Sequence, residues 1–575
     1  MATSTGALRS LLGLVQDDES TLRLAREGGH AFVSSALRPY TIAALAEIDE
    51  DARSRPTLVV VGDDRAARDM AADLRAWLAP RRVRYYPSRG VAYESHLAPP
   101  AHLVGLRVAA LDALLGAGDG AGAGPDDGQP VVVVSAVALS EKVPDPQLRP
   151  HSFTLRVGEL LDLEECASEL VGAGYERTDQ VEERGQFALR GGLLDVFPAT
   201  EERAVRVDMF DVEIESLRWF STFTQRSLGE VEEVEIAPAA ELAIEHRELA
   251  EIAAATGAFA KSDEQDSERP DIAELLPVER FGALLDLVGE DAQLIVAAEE
   301  EIAPVLSDHW SDVCAAFGDE DAHHLYVNPE SIEATLSQRT RIWLSALASG
   351  QEIELRAQSA DTAARSLAEA EPQLEKLVRS GYRTVVAFPR RGEGERAAYN
   401  LGRMKATWLA EDIDAGHQVI EPSLRFTTAS LREGFVAPQL KLAVFPEHRL
   451  LRRRRAQQDA GPAGGALGGV RRGALRSFTE LRTGDIVVHE DHGVARFAGF
   501  ETRTVANVTR DYLYLEYQGD DRVFVPTDQL AKISRYVGAG GDGGPQLSKL
   551  GGTRWDTMKA RARRAAQELA GELLS

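Results

Sequence analysis

Apolar and polar positions follow two different patterns along the chain. In the first 150 residues, continuous apolar runs such as Thr57–Val61 and Val131–Val134 alternate with helical patterns such as Ala66–Leu78. Strands that are apolar on both faces and alternate with helices predict a parallel sheet covered by helices on both sides. Similar runs at Leu294–Val296 and Thr384–Phe388 predict that α/β layers continue to about residue 450.

The pattern changes at Tyr175, after which single apolar residues alternate with polar ones for about 50 residues. This alternation predicts a compact antiparallel sheet inserted into or beside the first α/β layer. Arg177 and Arg190 accompany two aromatic residues, Phe187 and Phe197, which are expected to be exposed. Arginine beside exposed aromatic rings is typical of a protein-binding surface. The alternative, an ordinary sheet whose arginines balance nearby acids, stays open.

A third pattern, short β-branched and aromatic runs between turn residues, fills Leu481–Tyr536. It predicts a small, strongly bent antiparallel sheet or barrel, in which Leu513, Leu515 and Tyr517 share one face. The run contains no catalytic pattern. A strand at the edge of such a sheet can pair with a strand of another protein, so the segment is interpreted as an interaction module.

Two further segments complete the organisation. The stretch 451–478 begins with Arg452–Arg455 and continues with many glycines, which is typical of a basic linker that touches nucleic acid or folds onto an acidic face. Residues Trp555–Leu574 predict an amphipathic helix that ends the chain, and we expect it to be a connector to a further domain.

Composition narrows the functional classes. The 575 residues carry a net charge of −28, which argues against a chain whose whole surface binds nucleic acid. Two cysteines, Cys166 and Cys314, exclude a disulfide framework and a four-cysteine zinc site, which indicates a reducing cytoplasm. No apolar run reaches the roughly 20 residues that cross a bilayer, and no cleavage pattern follows the apolar start, so neither a membrane span nor a signal peptide is expected.

The sequence gives little support for a nucleotide-binding or metal-binding site. The phosphate-loop pattern G-x-x-x-x-G-K-[ST] does not occur in the chain. Gly392 and Gly394 follow a strand as in a dinucleotide fingerprint, but the third glycine is missing and two glutamates would repel a pyrophosphate. His489 and His492 resemble part of a zinc motif, yet a strand end would point them to opposite faces. We therefore predict no catalytic residue, no metal and no cofactor in this chain.

Two stretches carry a family resemblance. GDIVVHEDHGVARFAGF, YLYLEY, FVPTDQL and ISRY, followed by LSKLGGTRW, resemble the RNA-polymerase-interacting domain of the bacterial transcription-repair coupling factors, which is shared with CarD-like regulators. GYERTDQVEERGQFALRGGLLDVFP and FDVEIESLRWF are similar to the sheet domain that this family shares with UvrB and uses to recruit UvrA. The segment from Val91 to Arg107 also resembles the family's degenerate first α/β domain.

The resemblance implies an α/β multidomain fold: degenerate helicase-like parallel-sheet domains with an inserted antiparallel sheet domain, a small SH3/Tudor-like barrel and a connector helix. The implied boundaries are 1–150 and 241–353 for the UvrB-like α/β domain, 151–240 for the UvrA-binding sheet, 354–450 for a small α/β domain, 451–478 for the linker, 479–545 for the barrel and 553–575 for the connector.

The resemblance also implies a role in transcription-coupled nucleotide excision repair. The barrel would bind the β subunit of RNA polymerase stalled at a lesion, and the sheet would recruit UvrA. The family's ATP-dependent DNA translocase, with ATP and Mg, is expected in a motor whose motifs this chain lacks, so the chain alone is predicted to be inactive as an ATPase. Double-stranded DNA would be contacted mainly by that motor, and the chain is expected to be a cytoplasmic monomer.

Site residues follow by motif position. Arg177, Phe187, Arg190 and Phe197 become candidates for the UvrA contact. The run Glu501, Thr502, Arg503, Thr504 and Val505, placed between the second and third strands of the barrel, corresponds to the family's polymerase-contacting edge. Two other hypotheses stay open: a nucleotide enzyme that uses the α/β layer, and a CarD-like transcription regulator without a repair role.

Overall fold

The computed structural model describes residues 6–16, 19–89, 100–116, 128–222, 225–243, 278–317, 319–345, 353–360, 364, 366–409, 421–451, 486–489, 493–505, 508–518, 522–526, 533–535 and 547. The chain divides into two compact units. The first comprises Met1–Arg89, Pro100–Ile244 and Val278–Pro462, and the second includes Ala463–Ser575. Each is described by itself.

The strands of the described residues are β1 Gly29–Val33, β2 Thr57–Val61, β3 Val83–Tyr86, β4 Val131–Ser135, β5 Val143–Pro144, β6 Phe153–Arg156, β7 Glu176–Arg177, β8 Gln186–Arg190, β9 Leu193–Val196, β10 Ala204–Phe210, β11 Glu213–Phe220, β12 Ser227–Val231, β13 Glu233–Ile236, β14 Phe281–Gly282, β15 Gln293–Val296, β16 Ile342–Ser345, β17 Ile353–Leu355, β18 Gln358–Ser359, β19 Arg383–Phe388, β20 Ala406–Trp408, β21 Leu424–Thr428, β22 Phe435–Ala437, β23 Leu442–Pro446, β24 Ile486–His489, β25 Gly493–Val505, β26 Val508–Glu516, β27 Arg522–Pro526 and β28 Ile533–Arg535.

The α-helices of the same residues are α1 Gly13–Gln16, α2 Glu19–Glu27, α3 Arg38–Ala46, α4 Glu50–Arg53, α5 Asp64–Leu78, α6 Ala101–Leu115, α7 Ala136–Ser140, α8 Leu163–Gly172, α9 Leu284–Leu287, α10 Glu299–Phe317, α11 Asp319–Leu325, α12 Pro329–Arg339, α13 Leu367–Arg379, α14 Arg391–Tyr399 and α15 Glu447–Leu450. In the described part of the chain, no helix has the length and apolar composition needed to cross a bilayer.

A seven-stranded parallel sheet organises the first unit, in the order β17-β1-β16-β15-β2-β4-β3. The inner strand β2 is buried on both faces: Val59 and Val61 pack into one apolar core, and Leu58 and Val60 into another. Because side chains alternate along a strand, one apolar run supplies both cores. The predicted parallel sheet, buried on both faces, is confirmed.

A second α/β layer shares one of these cores. Its six strands, in the order β18-β22-β23-β19-β21-β20, combine parallel and antiparallel pairs. Phe435 of β22 contacts the rings of Tyr40 and Trp77, at 5.3 and 6.2 Å between centroids. The two layers are therefore joined by apolar packing within the first unit.

Two further sheets carry the predicted interaction segments. The first unit includes a six-stranded sheet of order β12-β11-β10-β9-β8-β7, antiparallel except for β7 and β8. The second unit contains a five-stranded antiparallel sheet of order β27-β26-β25-β24-β28. A mixed α/β protein with added antiparallel sheets is thus confirmed, whereas a closed SH3/Tudor-like barrel stays a prediction and the connector helix lies outside the described residues.

Candidate protein-binding sites

The six-stranded sheet forms because its apolar positions alternate and one face packs against a helix. Phe187, Val207 and Leu217 on this inner face share a core with Cys166 and Leu170 of α8. Asp162 begins α8 by accepting hydrogen bonds from the backbone N–H groups of residues 164 and 165. On the outer face, a smaller apolar cluster of buried residues covers part of the sheet.

Arg177 and Arg190 both lie at the β7–β8 edge of this sheet, and both are exposed. Arg177 is the cross-strand neighbour of Phe187, so it shares the inner side of the sheet, whereas Arg190 comes three residues after Phe187 and points to the outer side. The Arg190 guanidinium donates a hydrogen bond to the backbone carbonyl of Asp179. The two predicted contact arginines are therefore close along one edge but project from opposite faces.

The two aromatic candidates are buried, so the expectation that their rings are exposed is wrong. Phe187 is 0% exposed in the core against α8. Phe197 is 3% exposed and lies in a small apolar cluster of its own, with the Arg184 guanidinium 5.9 Å from the ring centroid. The physical reason is that both occupy strand or strand-end positions whose side chains cover apolar neighbours. Their direct contact with a partner stays a prediction.

The outer face carries an ion-pair ladder that the sequence reasoning missed. Arg206 donates two hydrogen bonds of 2.7 Å to the two carboxylate oxygens of Asp195, and one of 3.0 Å to Gln225. The hydrogen bonds to Asp195 raise the pKa of the Arg206 guanidinium. On the next strand, Arg218 donates two hydrogen bonds to one carboxylate oxygen of Asp208. The ladder could have been predicted from the acidic and basic residues at alternating positions of neighbouring strands. These charges satisfy one another, so a partner gains little from them.

The predicted polymerase edge, Glu501–Val505, has a different place from the one expected. It lies in the second half of β25 and not between the second and third strands, so that placement is wrong. Residues 501–505 pair with residues 508–512 of β26, and the turn comes after Val505. The reason is that the β-branched and polar run continues the extended ladder up to the turn. Its role in binding is untested.

On the other side of β25, the neighbouring strand β24 pairs only with residues 493–496. Within the described residues, residues 501–505 thus have a strand on one side alone, which is the arrangement that strand addition by a partner requires.

The prediction that Leu513, Leu515 and Tyr517 share one face of this sheet is confirmed, because all three side chains are buried in its core.

The end of β2, where a phosphate loop would lie in a nucleotide-binding sheet, carries two carboxylates. Asp63 begins α5 by accepting a hydrogen bond of 2.7 Å from the backbone N–H of Ala66. Asp64 accepts hydrogen bonds from Ser135 Oγ, at 2.6 Å, and from the backbone N–H of Ser88, at 3.1 Å. A phosphate needs backbone N–H groups and the positive end of a helix, and here carboxylates occupy both.

The glycine pair that resembles a dinucleotide fingerprint has a packing role. A Cβ atom on Gly394 would come within 2.6 Å of the Trp408 ring and 3.0 Å of the Phe388 ring. Gly394 therefore lets α14 approach β19 and β20 closely. No group of three or more potential metal ligands occurs among the residues that the structure describes. His489 is buried, while 490–492 of the histidine motif lie outside those residues.

A buried ion-pair network beside the seven-stranded sheet was also not predicted from the sequence. Arg107 is 0% exposed and donates hydrogen bonds to Glu141, at 2.5 Å, and to Glu241. Its guanidinium also lies 4.6 Å from the centroid of the Tyr86 ring. Burial raises the pKa of Glu141 to about 7, against the lowering effect of the nearby arginines. Arg89 adds a second positive charge beside Glu241, and the network joins α6 to residues that follow α7 and β13.

Comparison with protein families identifies both interaction segments. Residues 153–242 match the family described as UvrB interaction domain. Residues 481–537 match the CarD-like/TRCF RID domain. The first match covers the six-stranded sheet together with β6, α8 and β13, and the second covers the five-stranded sheet.

Curated relatives extend the similarity to nearly the whole chain. The transcription-repair-coupling factor of Mycobacterium tuberculosis is 30% identical over 611 residues, which cover 96% of this chain and 48% of the relative. That of Bacillus subtilis is 27% identical over 594 residues, covering 95% and 48%. The chain thus spans about half the length of the curated relatives it matches. The resemblance to the transcription-repair coupling factors that the sequence predicts is confirmed.

Proposed function

We propose that this relative of the transcription-repair coupling factors is a recruiting module in transcription-coupled nucleotide excision repair. It binds RNA polymerase, through the β subunit, with the five-stranded sheet, and it binds UvrA with the six-stranded sheet. The observation that carries the proposal is the presence of both matched domains in one chain, at 153–242 and 481–537. Such a chain can link a stalled polymerase to the excision machinery.

Binding to UvrA is supported by two features of the six-stranded sheet. The charged side chains in the middle of its outer face form ion pairs with one another. Arg177 and Arg190 at the edge remain exposed. Exposed arginine guanidinium groups are suited to carboxylates of a partner. Phe187 and Phe197 act by packing, which fixes the strand that carries Arg190.

The UvrA site is tested with charge-removing variants of the whole chain. R177A and R190A should each weaken UvrA capture, by about five- to tenfold if they behave as interface arginines. R203A is the matched control, because Arg203 is an exposed arginine between β9 and β10, at the opposite end of the sheet from Arg190. Capture that is equal in all four proteins would remove both arginines from the interface.

Binding to RNA polymerase is supported by the second half of β25. Residues 501–505 pair with β26 on one side and have no strand of the described residues on the other. We assign strand addition by the polymerase β subunit to this side, with closure of the sheet into an SH3/Tudor-like barrel as the finer expectation. R503E should weaken capture of the β subunit. R522E, the same charge change at the exposed Arg522 of β27, is the control.

The α/β layers act as a scaffold in this proposal. Asp63 and Asp64 occupy the positions that a bound phosphate would need, which supports a chain without ATP or Mg of its own. ATP turnover and movement along double-stranded DNA belong to the motor expected from the family resemblance. DNA-stimulated ATP hydrolysis by this chain would contradict that assignment. Polymerase binding without any UvrA binding would favour a CarD-like regulator.

A further inference from the structure

Exposed apolar side chains are concentrated in one part of the first unit. In the described residues, all but one of the large apolar side chains that are exposed belong to the segment 153–242: Val157, Leu160, Val171, Leu193, Phe210, Val212 and Leu228. Single exposed apolar residues are normal on a protein surface, but a contiguous group marks a contact with another molecule.

Four of them meet at one end of the six-stranded sheet. Phe210 ends β10, Val212 lies in the two-residue turn before β11, and Leu160 lies in the loop that crosses this turn. The backbone N–H of Leu161 donates to the carbonyl of Val212 at 2.7 Å, and Leu160 bridges to Glu213. Leu193 begins the neighbouring strand β9. We call Leu160, Leu193, Phe210 and Val212 the apolar tip.

The backbone explains why Phe210 is exposed. The alternation along β10 is unbroken, because the extra residue at the register shift, Glu215, belongs to β11, and Met209 packs against the core on the inner side. Phe210 therefore points to the outer side, and the following Asp211 turns the chain with a φ of 59°. As a result Phe210 is 73% exposed and Leu160 is 76% exposed.

The apolar tip is continuous with Arg190. Arg190 of β8 is the cross-strand neighbour of Leu193, and Leu193 is the neighbour of Asp208 in β10, two residues before Phe210. Neighbouring strands are about 4.8 Å apart, so β10 lies roughly 10 Å from β8. A stable protein interface covers about 800 Å² on each partner, a patch nearly 30 Å across. A folded partner centred between Arg190 and Phe210 therefore covers both.

We propose that the apolar tip is the apolar centre of the UvrA interface, with Phe210 as its aromatic anchor and Arg190 on its rim. The inference rests on the proposed function, and it adds a set of contact residues to it. Interfaces concentrate their binding free energy in a few aromatic residues surrounded by polar groups. The two phenylalanines expected in that role, Phe187 and Phe197, are buried, whereas Phe210 is accessible.

The charges around the apolar tip define the complementary surface. Asp211 and Glu213 are exposed beside Phe210 on one side, and Arg190 lies on the other. The partner surface should therefore offer an apolar hollow with basic groups next to Asp211 and Glu213 and an acidic group next to Arg190. Charges at an interface rim mainly affect the association rate, so binding should slow as salt is added.

The test uses the whole chain, purified UvrA and three variants. F210A should weaken UvrA binding about tenfold or more, the effect expected of an anchor residue. The double variant L160S/V212S should weaken it as well. L228A is the matched control, because Leu228 is 49% exposed in the same domain but lies on β12, near the other end of the sheet. It should bind within about twofold of the unchanged chain.

The outcomes separate the two proposals. If the unchanged chain binds UvrA and both tip variants bind equally well, the apolar tip is not part of the interface and this inference is overturned. If the unchanged chain does not bind UvrA, the proposed function is overturned, and the inference with it. Hydrogen exchange of β8 to β11 should be the same in F210A as in the unchanged chain, because the side chain is exposed; increased exchange with lost binding would assign Phe210 to folding and overturn its role as anchor.

Discussion

Replacing Phe187 by alanine separates a packing role from a contact role in the six-stranded sheet. Phe187 is 0% exposed and lies in the core formed with α8. Truncation of a buried phenylalanine to alanine costs about 3–5 kcal/mol, because it removes apolar contacts and leaves a cavity. R190A, at an exposed position, should change stability by no more than about 0.5 kcal/mol.

The consequence can be measured by hydrogen exchange in the whole chain, which reports the opening of one sheet without assuming that the protein unfolds in one step. Since a tenfold change corresponds to about 1.4 kcal/mol, F187A should speed exchange of the β8 to β10 amides by roughly two to more than three orders of magnitude. R190A should leave exchange unchanged and still weaken UvrA binding.

UvrA binding by F187A should fall only as far as the sheet opens, and conditions that restore slow exchange should restore binding. If F187A exchanges as slowly as the unchanged chain but no longer binds UvrA, then Phe187 contacts the partner directly. That result would refute the packing role derived from its burial.

Three other predictions concern the α/β layers. Burial raises the pKa of Asp73 to about 7, so its stabilising contribution is full below about pH 4 and is lost as pH rises toward 7. The denaturant midpoint of the unchanged chain should therefore fall over this pH range, and D73N should reduce that fall. A fall of equal size in D73N would contradict the effect of burial. G394A should destabilise its layer by about 1–3 kcal/mol, since its Cβ would overlap Trp408; tryptophan fluorescence on denaturation reports this, and an unchanged midpoint would refute it. R107M should cost about 3–5 kcal/mol, because Glu141 stays buried after losing its partner; calorimetry checks this against R203A, which should match the unchanged chain.

Alternating and continuous apolar runs were sufficient to predict the main sheets. Thr57–Val61 forms an inner strand of a parallel sheet, and Leu513 and Leu515 face a common core, because burial of apolar side chains determines both patterns. The motif resemblance was equally informative, since it identified the two segments that match known domains.

What the sequence could not provide was the direction of individual side chains. Alternation of apolar and polar residues does not show which face of a strand is covered. The burial of Phe187 and Phe197 is therefore seen only in the packed sheet. The alternation of β10 places Phe210 on the outer face, but its exposure depends on the fold leaving the end of the β10–β11 hairpin uncovered, which no local pattern reveals. The continuation of β25 to Val505 depends on pairing with β26, a contact that single-strand propensity does not determine.

The central claim is that one chain links RNA polymerase to UvrA. The most direct measurement is retention of UvrA on immobilised RNA polymerase, with and without this chain. We predict that UvrA is retained only when the chain is present, and that R503E and F210A each reduce retention, the first by releasing the chain from the polymerase and the second by releasing UvrA from the chain. Retention of the chain on the polymerase without any UvrA would contradict the account.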